Sequence, residues 1–244
     1  MITVSIVSHG HGEMVGNLVA KLITFSEIKK IIVTFNIPEK INIPNDSRVV
    51  LLKNISPRGL GANHNTAFRL CVDPFFCVLN PDILFISNPF SKLIESITSN
   101  NIGLAAPMVI NSEGCIEDSV RYFPTLCSIL LRIIFKRNRS YLFSQLDPIF
   151  SPEWVAGMCM FFRSTVFSNI EGFDERYFLY VEDVDICTRV WLSGFKVLVN
   201  PGIVVIHNAR RASHKNFHHF FWHLKGMIRY LIKYFFVIPK VSEK

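Results

Sequence analysis

The sequence predicts an α/β fold with a mostly parallel central sheet flanked by helices. Short apolar runs that end in polar or glycine residues alternate with helical stretches, an order typical of βαβ units. The chain has 244 residues, of which 50% are hydrophobic, so we expect one large domain with a sizeable core. Ligands of such sheets bind at the carboxyl ends of the parallel strands, where we expect a nucleotide-binding layer.

The first half of the chain contains four predicted strands, at residues 2–8, 31–35, 49–52 and 75–79. A helix with apolar residues spaced four apart is expected after the first strand, and a second helix is expected to end near Leu70. The polar groups that follow the strands are Ser8 and His9, Asn36, Asn54, and Asn80-Pro81-Asp82. We expect these groups to meet at one edge of the sheet.

The second half of the chain is less regular. Its predicted elements are a helix at 89–99, a strand at 102–107, a buried strand or strand edge at 154–162, a helix at 184–193, and two late strands at 197–199 and 204–206. Between them, residues 125–150 are first apolar and then basic, which fits either a lid or a helix that touches a membrane. The apolar part of this stretch is too short to span a bilayer.

Acidic residues are concentrated in one segment of the second half. Six of the 19 acidic residues lie there: Glu171, Asp174, Glu175, Glu182, Asp183 and Asp185. Like charges at this spacing repel one another, and a chain of net charge +7 has no need of them for solubility. The segment is therefore predicted to bind a positive group or to remove a proton. A helix N-terminus enriched in acids is the structural alternative, although it does not account for the whole run.

Cysteine spacing and charge restrict the class of protein. The six cysteines show no CxxC pair, which indicates neither a zinc site nor a disulfide framework and favours a reducing cytoplasm. The N-terminus lacks the features of a signal peptide and is predicted to be a strand. Basic clusters at 136–139 and 210–215 fit an anionic membrane or a phosphorylated substrate. Nucleic acid is disfavoured, since the sequence has no helix-turn-helix pattern or RNA-binding aromatic signature.

The C-terminal stretch, about residues 214–238, is predicted to be an amphipathic helix. Its basic side chains fall within one narrow sector at about 100° per residue: His218, Lys225, Arg229 and Lys233. Three cations in its middle argue against a spanning helix. Two alternatives remain open. The helix lies in a membrane interface, or its apolar face packs on the domain and its cations face water.

Five motifs occur in an order that resembles glycosyltransferase family two. They are Gly61-Ala62-Asn63-His64-Asn65, Asn80-Pro81-Asp82, Trp154 to Gly157, Gly172-Phe173-Asp174-Glu175 with Tyr180 to Asp185, and His207. The similarity extends over about residues 2–215 and is greatest to the rhamnosyltransferase-like branch, which builds bacterial surface polysaccharides. This resemblance implies a GT-A fold, an inverting transfer from a nucleotide-sugar, and a divalent cation, Mg²⁺ or Mn²⁺.

The resemblance also implies roles for individual residues. Asp183 is the implied general base, and Glu182, Trp154 and Gly157 are implied contacts of the acceptor. Asp82 and His207 are the implied metal ligands, with Asn80 in the first position of the family's Asp-x-Asp signature. A plain Asn-Pro-Asp turn and a strand-ending histidine are the structural alternatives. The implied nucleotide-sugar contacts are Ser8, His9, Asn36, Gly61, His64, Asn65, Asn80, Arg210 and Arg211.

The resemblance thus implies an inverting, metal-dependent glycosyltransferase, which we expect at the inner face of the cytoplasmic membrane. Residues 1–213 are the expected GT-A catalytic domain, and residues 214–244 are the expected basic helical segment. The expected donor is dTDP-rhamnose and the acceptor a glycan or a lipid-linked sugar. The alternatives are a transferase that uses another nucleotide-sugar such as a UDP-hexose, a nucleotidyltransferase, and a non-catalytic nucleotide- or glycan-binding protein.

Overall fold

An eight-stranded sheet forms the centre of the protein in the computed structural model, which describes residues 1–98, 101–135, 140–208, 217–239 and 241. The strands are β1 (Ile2–Ser8), β2 (Ile28–Phe35), β3 (Val49–Lys53), β4 (Phe75–Leu79), β5 (Ile83–Phe85), β6 (Ile102–Ile110), β7 (Val120–Arg121), β8 (Trp154–Val155), β9 (Cys159–Arg163) and β10 (Lys196–His207). The helices are α1 (Glu13–Leu22), α2 (Leu60–Phe68), α3 (Phe90–Ile97), α4 (Leu126–Phe135), α5 (Ser164–Asn169), α6 (Glu182–Leu192) and α7 (Phe217–Lys233).

The strand order of the sheet is β3-β2-β1-β4-β9-β6-β10-β5. The first four strands in this order are parallel, as are β6 and β10, whereas β9 and β5 are antiparallel to their neighbours. All seven residues of β1 are buried, as expected for a parallel sheet covered on both faces. The prediction of a mostly parallel sheet is confirmed. Since β1, β2 and β4 run the same way, Ser8, Asn36 and Asp82 follow strands that end at one edge.

The strand predicted at 154–162 is in fact interrupted. Trp154 and Val155 pair with β7 in a separate two-stranded sheet, whereas β9 inserts between β4 and β6 in the main sheet. Residues 156–158 connect the two sheets and have no partner strand in the described part of the chain. The uninterrupted prediction was wrong because apolar composition does not show where a chain changes sheets. The break leaves peptide groups at 157 and 158 available to the site described below.

The two late strands predicted at 197–199 and 204–206 are one strand, β10. It pairs with β6 along its length, with a register shift between Asn200 and Val204. The Asn200 side chain accepts a hydrogen bond from the Gly202 amide at 3.0 Å. Pro201 and Gly202 therefore form an irregularity within one strand rather than a turn between two, because β6 continues to supply partners on both sides of it.

Helix α7 packs on α6 through its polar face. Lys233 Nζ lies 2.6 Å from Asp185 Oδ1 and 2.9 Å from Asp174 Oδ2, and the Tyr234 hydroxyl donates to Asp185 at 2.9 Å. Asp185 also accepts from Arg189 Nε at 2.8 Å, at the i,i+4 spacing that is common for ion pairs on a helix. Because Asp185 is completely buried, its charge requires such partners.

The alternative in which the apolar face packs on the domain and the cations face water is therefore wrong for Arg229 and Lys233. Lys233 reaches Asp185, and the Arg229 guanidinium lies over the Tyr177 ring at 6.0 Å from its centroid. Lys225 is exposed. The large apolar side chains point outward instead, among them Phe221 and Ile232. The basic clusters at 136–139 and 210–215 lie outside the described residues. No helix in the described ranges is long and apolar enough to cross a membrane.

Replacing Lys233 with Met tests the attachment of α7. The variant leaves the buried Asp185 carboxylate with one cation fewer, so we expect the free energy of unfolding to fall by about 3 kcal/mol, measured by urea denaturation. Lys225→Met, the same change at an exposed position of this helix, should alter it by less than about 0.5 kcal/mol. Equal effects of the two substitutions would show that the Lys233 ion pairs do not hold α7.

Candidate functional site

Asp82 and His207 meet at the edge of the sheet. Asp82 follows β4, His207 ends β10, and the His207 Nε2 atom lies 3.2 Å from Asp82 Oδ2. The Asn208 amide donates to the Asp82 carbonyl at 2.9 Å, which fixes the two segments to each other. The remaining carboxylate atom, Asp82 Oδ1, is buried without a hydrogen-bond partner in the described structure. The structure thus brings together the two residues that the resemblance implied as metal ligands.

Glu117 orients His207 from the other side. Its Oε2 atom lies 2.7 Å from His207 Nδ1, so Nε2 is the ring nitrogen that faces Asp82. Burial by itself lowers the pKa of His207, but hydrogen bonds to Asp82 and Glu117 and their charges outweigh burial and raise it. A positive charge is therefore favoured beside Asp82. Carboxylates that orient a metal-binding histidine in this way are common in metal sites.

The geometry fits a divalent cation held by few protein atoms. No group of three metal-ligating side chains forms within the described ranges. Mg²⁺ is commonly held by one or two carboxylates together with substrate phosphates and water. An unpartnered carboxylate oxygen on Asp82 next to an oriented imidazole meets that requirement.

A strained turn presents Glu182 and Asp183 at the start of α6. Tyr180 and Val181 both have φ of 70°, the left-handed region that is unfavourable for residues other than glycine and most of all for a β-branched valine. The Val181 carbonyl nevertheless accepts the first helical bond, from the Asp185 amide at 2.9 Å. Such strain is concentrated at functional sites, where the surrounding packing maintains it.

Two backbone amides hold the Asp183 carboxylate. Val184 donates to Oδ1 at 2.9 Å, and Gly157, in the break between β8 and β9, donates to Oδ2 at 3.2 Å. The next residue, Met158, accepts a hydrogen bond at its carbonyl from the Asn80 amide at 2.9 Å. Residues 157 and 158 therefore connect Asp183 to the Asn80-Pro81-Asp82 segment, so both carboxylates belong to one region of the molecule.

The neighbouring carboxylates differ in their environments. Burial, and then the charge of Asp183, raise the pKa of Glu182, whose Oε2 atom has no hydrogen-bond partner among the described residues. Burial also raises the pKa of Asp183, but the amides of Val184 and Gly157 act in the opposite direction. Since only Asp183 accepts two backbone hydrogen bonds, the negative charge of this coupled pair is best stabilised on Asp183.

A pocket of about 520 Å³ opens in front of these carboxylates. Trp154 forms part of its wall, and its Nε1 atom donates to the Tyr122 carbonyl at 2.9 Å. The Arg121 guanidinium lies over the Trp154 ring and is paired with Asp118, with Nε 2.8 Å from Oδ1. Residues of α4, of α7 and of the turn before α4 also line it: Thr125, Ser128, Ile129, His223 and Met227.

Asn36 organises the edge of the sheet beyond β1. Its Oδ1 atom accepts hydrogen bonds from the side chains of Asn54 and Asn63 and from the Arg58 amide. Its Nδ2 atom donates to the Arg58 carbonyl at 3.0 Å and lies 3.2 Å from His9 Nδ1. The structure thus brings His9 and Asn36 together with a loop that the sequence did not assign to the site. The Ser8 side chain is buried next to them.

The Gly61–Asn65 motif also holds the acidic segment in place. Asn65 donates to the Phe173 carbonyl and accepts from the Phe173 amide, both at 2.8 Å. A Cβ atom on Gly61 would lie 2.6 Å from Phe173 Cβ, so only glycine allows this approach. His64 is 1% exposed and its Nδ1 atom lies 2.9 Å from the Ser5 hydroxyl. These contacts give Gly61, His64 and Asn65 a positioning role, because each is made with other parts of the protein.

Several site residues carried no recognisable signal in the sequence. Glu117 lies in a loop with no motif, as does Glu39, which accepts hydrogen bonds from the amides of Gly10 and Gly12 at 2.8 and 3.1 Å. Asn54 was noted only as a polar strand end, although its partner Asn36 was assigned to the site. Arg210 and Arg211, assigned from the sequence, lie outside the described residues.

Curated proteins similar to this chain include two rhamnosyltransferases. The chain is 30% identical to the rhamnosyltransferase WbbL of Escherichia coli (strain K12), over 96% of this chain and 93% of that protein. It is 29% identical to the N-acetylglucosaminyl-diphospho-decaprenol L-rhamnosyltransferase of Mycobacterium tuberculosis, over 66% of this chain and 57% of the relative. No protein-family model matches the chain.

The fold is similar to a solved structure. The crystal structure of GalNAc-T7 with UDP, GalNAc and Mn²⁺ superposes on 88% of this chain with a TM-score of 0.71 and 16% sequence identity. The chain spans 44% of the length of that protein. This similarity, together with the curled mixed sheet, confirms the predicted GT-A fold.

The buried His64 predicts a specific dependence of stability on pH. Burial lowers its pKa from 6.5 to about 3, so the unfolded chain takes up a proton that the folded protein excludes. Its contribution to stability is complete above pH 6.5 and is lost as the pH falls toward about 3. Between pH 7 and pH 5 the loss is about 2 kcal/mol. Urea unfolding at both values should show a smaller difference for His64→Gln than for the unsubstituted protein. An unchanged difference would contradict this assignment.

Proposed function

The chain belongs to the rhamnosyltransferase-like branch of glycosyltransferase family two, and from this membership we propose that it transfers rhamnose from dTDP-rhamnose to a lipid-linked or growing glycan with inversion at the anomeric carbon. The protein is a glycosyltransferase of polysaccharide synthesis. The observation that supports the proposed mechanism best is the placement of Asp183. Two backbone amides fix its carboxylate at the pocket, and residues 157 and 158 connect it to Asp82.

The nucleotide-sugar is proposed to bind along the edge formed by the ends of β1, β2 and β4. Ser8, His9, Asn36 and Asn80 are the proposed contacts there, with Arg210 and Arg211 added from the sequence. The hydrogen bonds of Asn36 to the backbone of Arg58 support this assignment, because they fix a loop at the place where a base or ribose would lie. Gly61, His64 and Asn65 contribute by positioning α2 and the segment that precedes α6.

Asp82 and His207 are the proposed ligands of a divalent cation, Mg²⁺ or Mn²⁺, with Glu117 orienting the histidine. Such a cation would neutralise negative charge on the diphosphate of the donor. The Mn²⁺ in the similar GalNAc-T7 structure and the unpartnered oxygen of Asp82 both support this proposal. Asp82 also holds the β10 end through the Asn208 amide, so the phosphate-binding edge keeps its shape.

Asp183 is the proposed general base. An acceptor hydroxyl oxygen attacks the anomeric carbon, its proton passes to Asp183, and the bond from that carbon to the diphosphate oxygen breaks with the electron pair leaving on the diphosphate. Glu182, kept protonated by burial and by the adjacent charge, is not a nucleophile. One base without a covalent nucleophile gives inversion.

The acceptor is proposed to occupy the pocket in front of Asp183. Trp154 offers a flat apolar wall and Glu182 a hydrogen-bonding carboxyl group, and Gly157 is kept as a proposed acceptor contact because its amide binds Asp183. We place the enzyme at the cytoplasmic face of the membrane, where lipid-linked acceptors are available. Residues 1–213 form the proposed catalytic domain, and residues 214–244 form the proposed C-terminal basic amphipathic helical segment.

A thermal-shift screen tests donor and cation together. We expect dTDP-rhamnose with Mn²⁺ or Mg²⁺ to raise the melting temperature more than UDP-hexoses do, since a ligand of the folded state stabilises it. Asp82→Asn should abolish the part of the shift that depends on the cation. Asp46→Asn, the same change at a remote ion pair, should preserve it. A larger increase in melting temperature with a UDP-hexose would show that dTDP-rhamnose is not the donor. A cation-dependent increase that persists in Asp82→Asn would show that Asp82 is not a metal ligand.

Replacing Asp183 with Asn tests the proposed base. Loss of a general base lowers kcat by about 10² to 10⁴-fold, measured as release of dTDP from dTDP-rhamnose in the presence of a lipid-linked acceptor. The thermal shift produced by dTDP should persist, because the amide has nearly the same shape as the carboxylate that it replaces. Near-normal turnover in this variant would refute the mechanism.

A further inference from the structure

Helix α7 presents an apolar face to its surroundings, the reverse of an ordinary surface helix. Nine large apolar residues on α7 and the turn after it are 42–91% exposed: Phe217, Phe220, Phe221, Leu224, Ile228, Ile232, Phe235, Phe236 and Val237. Most of those within the helix fall within one sector at about 100° per residue. Gly226 and Tyr230, on the opposite side, are buried. Isolated exposed apolar residues are ordinary, but a continuous stripe marks an interaction surface.

Contacts on the inward face of α7 prevent the helix from rotating about its axis. Lys233 is committed to the buried Asp185, and the Tyr230 hydroxyl lies 2.8 Å from Thr188 Oγ1. A Cβ atom on Gly226 would lie 3.1 Å from the Tyr180 carbonyl, so the helix backbone lies against the strained turn before Asp183. Rotation of α7 would break these contacts and unpair a buried charge. The apolar stripe is therefore a fixed feature of the surface.

Helix α4, which also lines the pocket, carries a second set of exposed apolar residues. Leu126, Leu130, Leu131 and Ile134 are 44–67% exposed. The inner sides of α4 and α7 both line the pocket that contains Asp183, through Ser128 and Met227 among others. Two helices that flank the proposed acceptor site thus both turn apolar residues outward.

The charge of the chain favours an anionic lipid surface as the occupant. Basic residues adjoin both helices along the sequence, with Lys136, Arg137 and Arg139 directly after α4 and Arg210, Arg211 and Lys215 before α7. Lys225 is exposed on α7, and the net charge is +7. Apolar side chains bordered by basic ones are the features of a helix that lies in a membrane interface.

We propose that the outward face of α7, assisted by the exposed apolar residues of α4, docks on an anionic bilayer and holds the pocket of Asp183 at its surface. The acceptor part of this inference rests on the proposed function, because a lipid-linked acceptor is held in that bilayer. The docking surface itself rests only on the exposed apolar residues and the charges. The acceptor would reach Asp183 from the lipid side, between α4 and α7.

The test is sedimentation with vesicles, using a variant that removes apolar area without changing charge. The triple variant Phe221→Gln, Ile228→Gln and Ile232→Gln should lose at least about tenfold in partitioning onto phosphatidylethanolamine–phosphatidylglycerol vesicles, since each side chain loses transfer free energy. Val72→Gln, at an 87% exposed position before β4, should bind as the unsubstituted protein does. Vesicles of phosphatidylcholine alone should bind the unsubstituted protein less.

Transfer to a water-soluble acceptor analogue separates this inference from the proposed function. The triple variant should keep that activity and lose transfer to an acceptor embedded in vesicles. The docking surface would be refuted if the unsubstituted protein did not bind vesicles, or if the triple variant bound them equally well. Transfer to the soluble analogue would in either case still support the proposed function. A dimer in lipid-free sedimentation velocity that the triple variant dissociates would also overturn the docking surface, because the face would then bind a second copy of the chain.

Discussion

The carboxylate of Asp183 depends on two amides from different parts of the chain. Val184 belongs to the same helix, but Gly157 lies in the break where the chain passes from the small sheet to the main one. Because Met158 in that break also binds Asn80, a single connection sets the relation between Asp183 and Asp82. If residues 156–158 continued one strand, neighbouring strands would take up the hydrogen bonds of the Gly157 amide and the Met158 carbonyl. The connection between Asp183 and Asp82 would then be lost.

One buried charge determines how the C-terminal helix is presented. Asp185 is completely buried, and its partners Lys233 and Tyr234 lie at the end of α7. Without Lys233 and Tyr234 this buried carboxylate would lose two of its partners, which costs several kcal/mol. The polar face of α7 therefore turns inward and its apolar face outward. Asp185 lies on α6 close after Asp183. Its contacts with the end of α7 therefore hold the proposed membrane-docking surface next to the turn that carries the proposed base.

Motifs that suggested ligand contacts also have structural roles in this protein. Asn65 and Gly61 bind and pack against Phe173, and Gly59 accepts close approach by the Phe178 backbone. Together they fix the segment that leads into the left-handed residues at 180 and 181. These residue types are therefore explained by the packing of α2 against the acidic segment as much as by contacts with a ligand. Strain at residues 180 and 181 persists because these contacts, and α7 behind them, hold the turn.

Elements with a local signal follow from the amino-acid sequence alone. The parallel strands and the helices of the first half follow from apolar runs and their spacing, and the pairing of Asp185 with Arg189 follows from helical periodicity. Tertiary structure decided what depends on distant partners: Glu117 beside His207, Asn36 beside Asn63, and the direction that α7 faces. Periodicity shows that a helix has two unlike faces but not which partner each one meets. Lys233 meets an aspartate 48 residues away in the sequence, and only the folded chain brings that charge within reach.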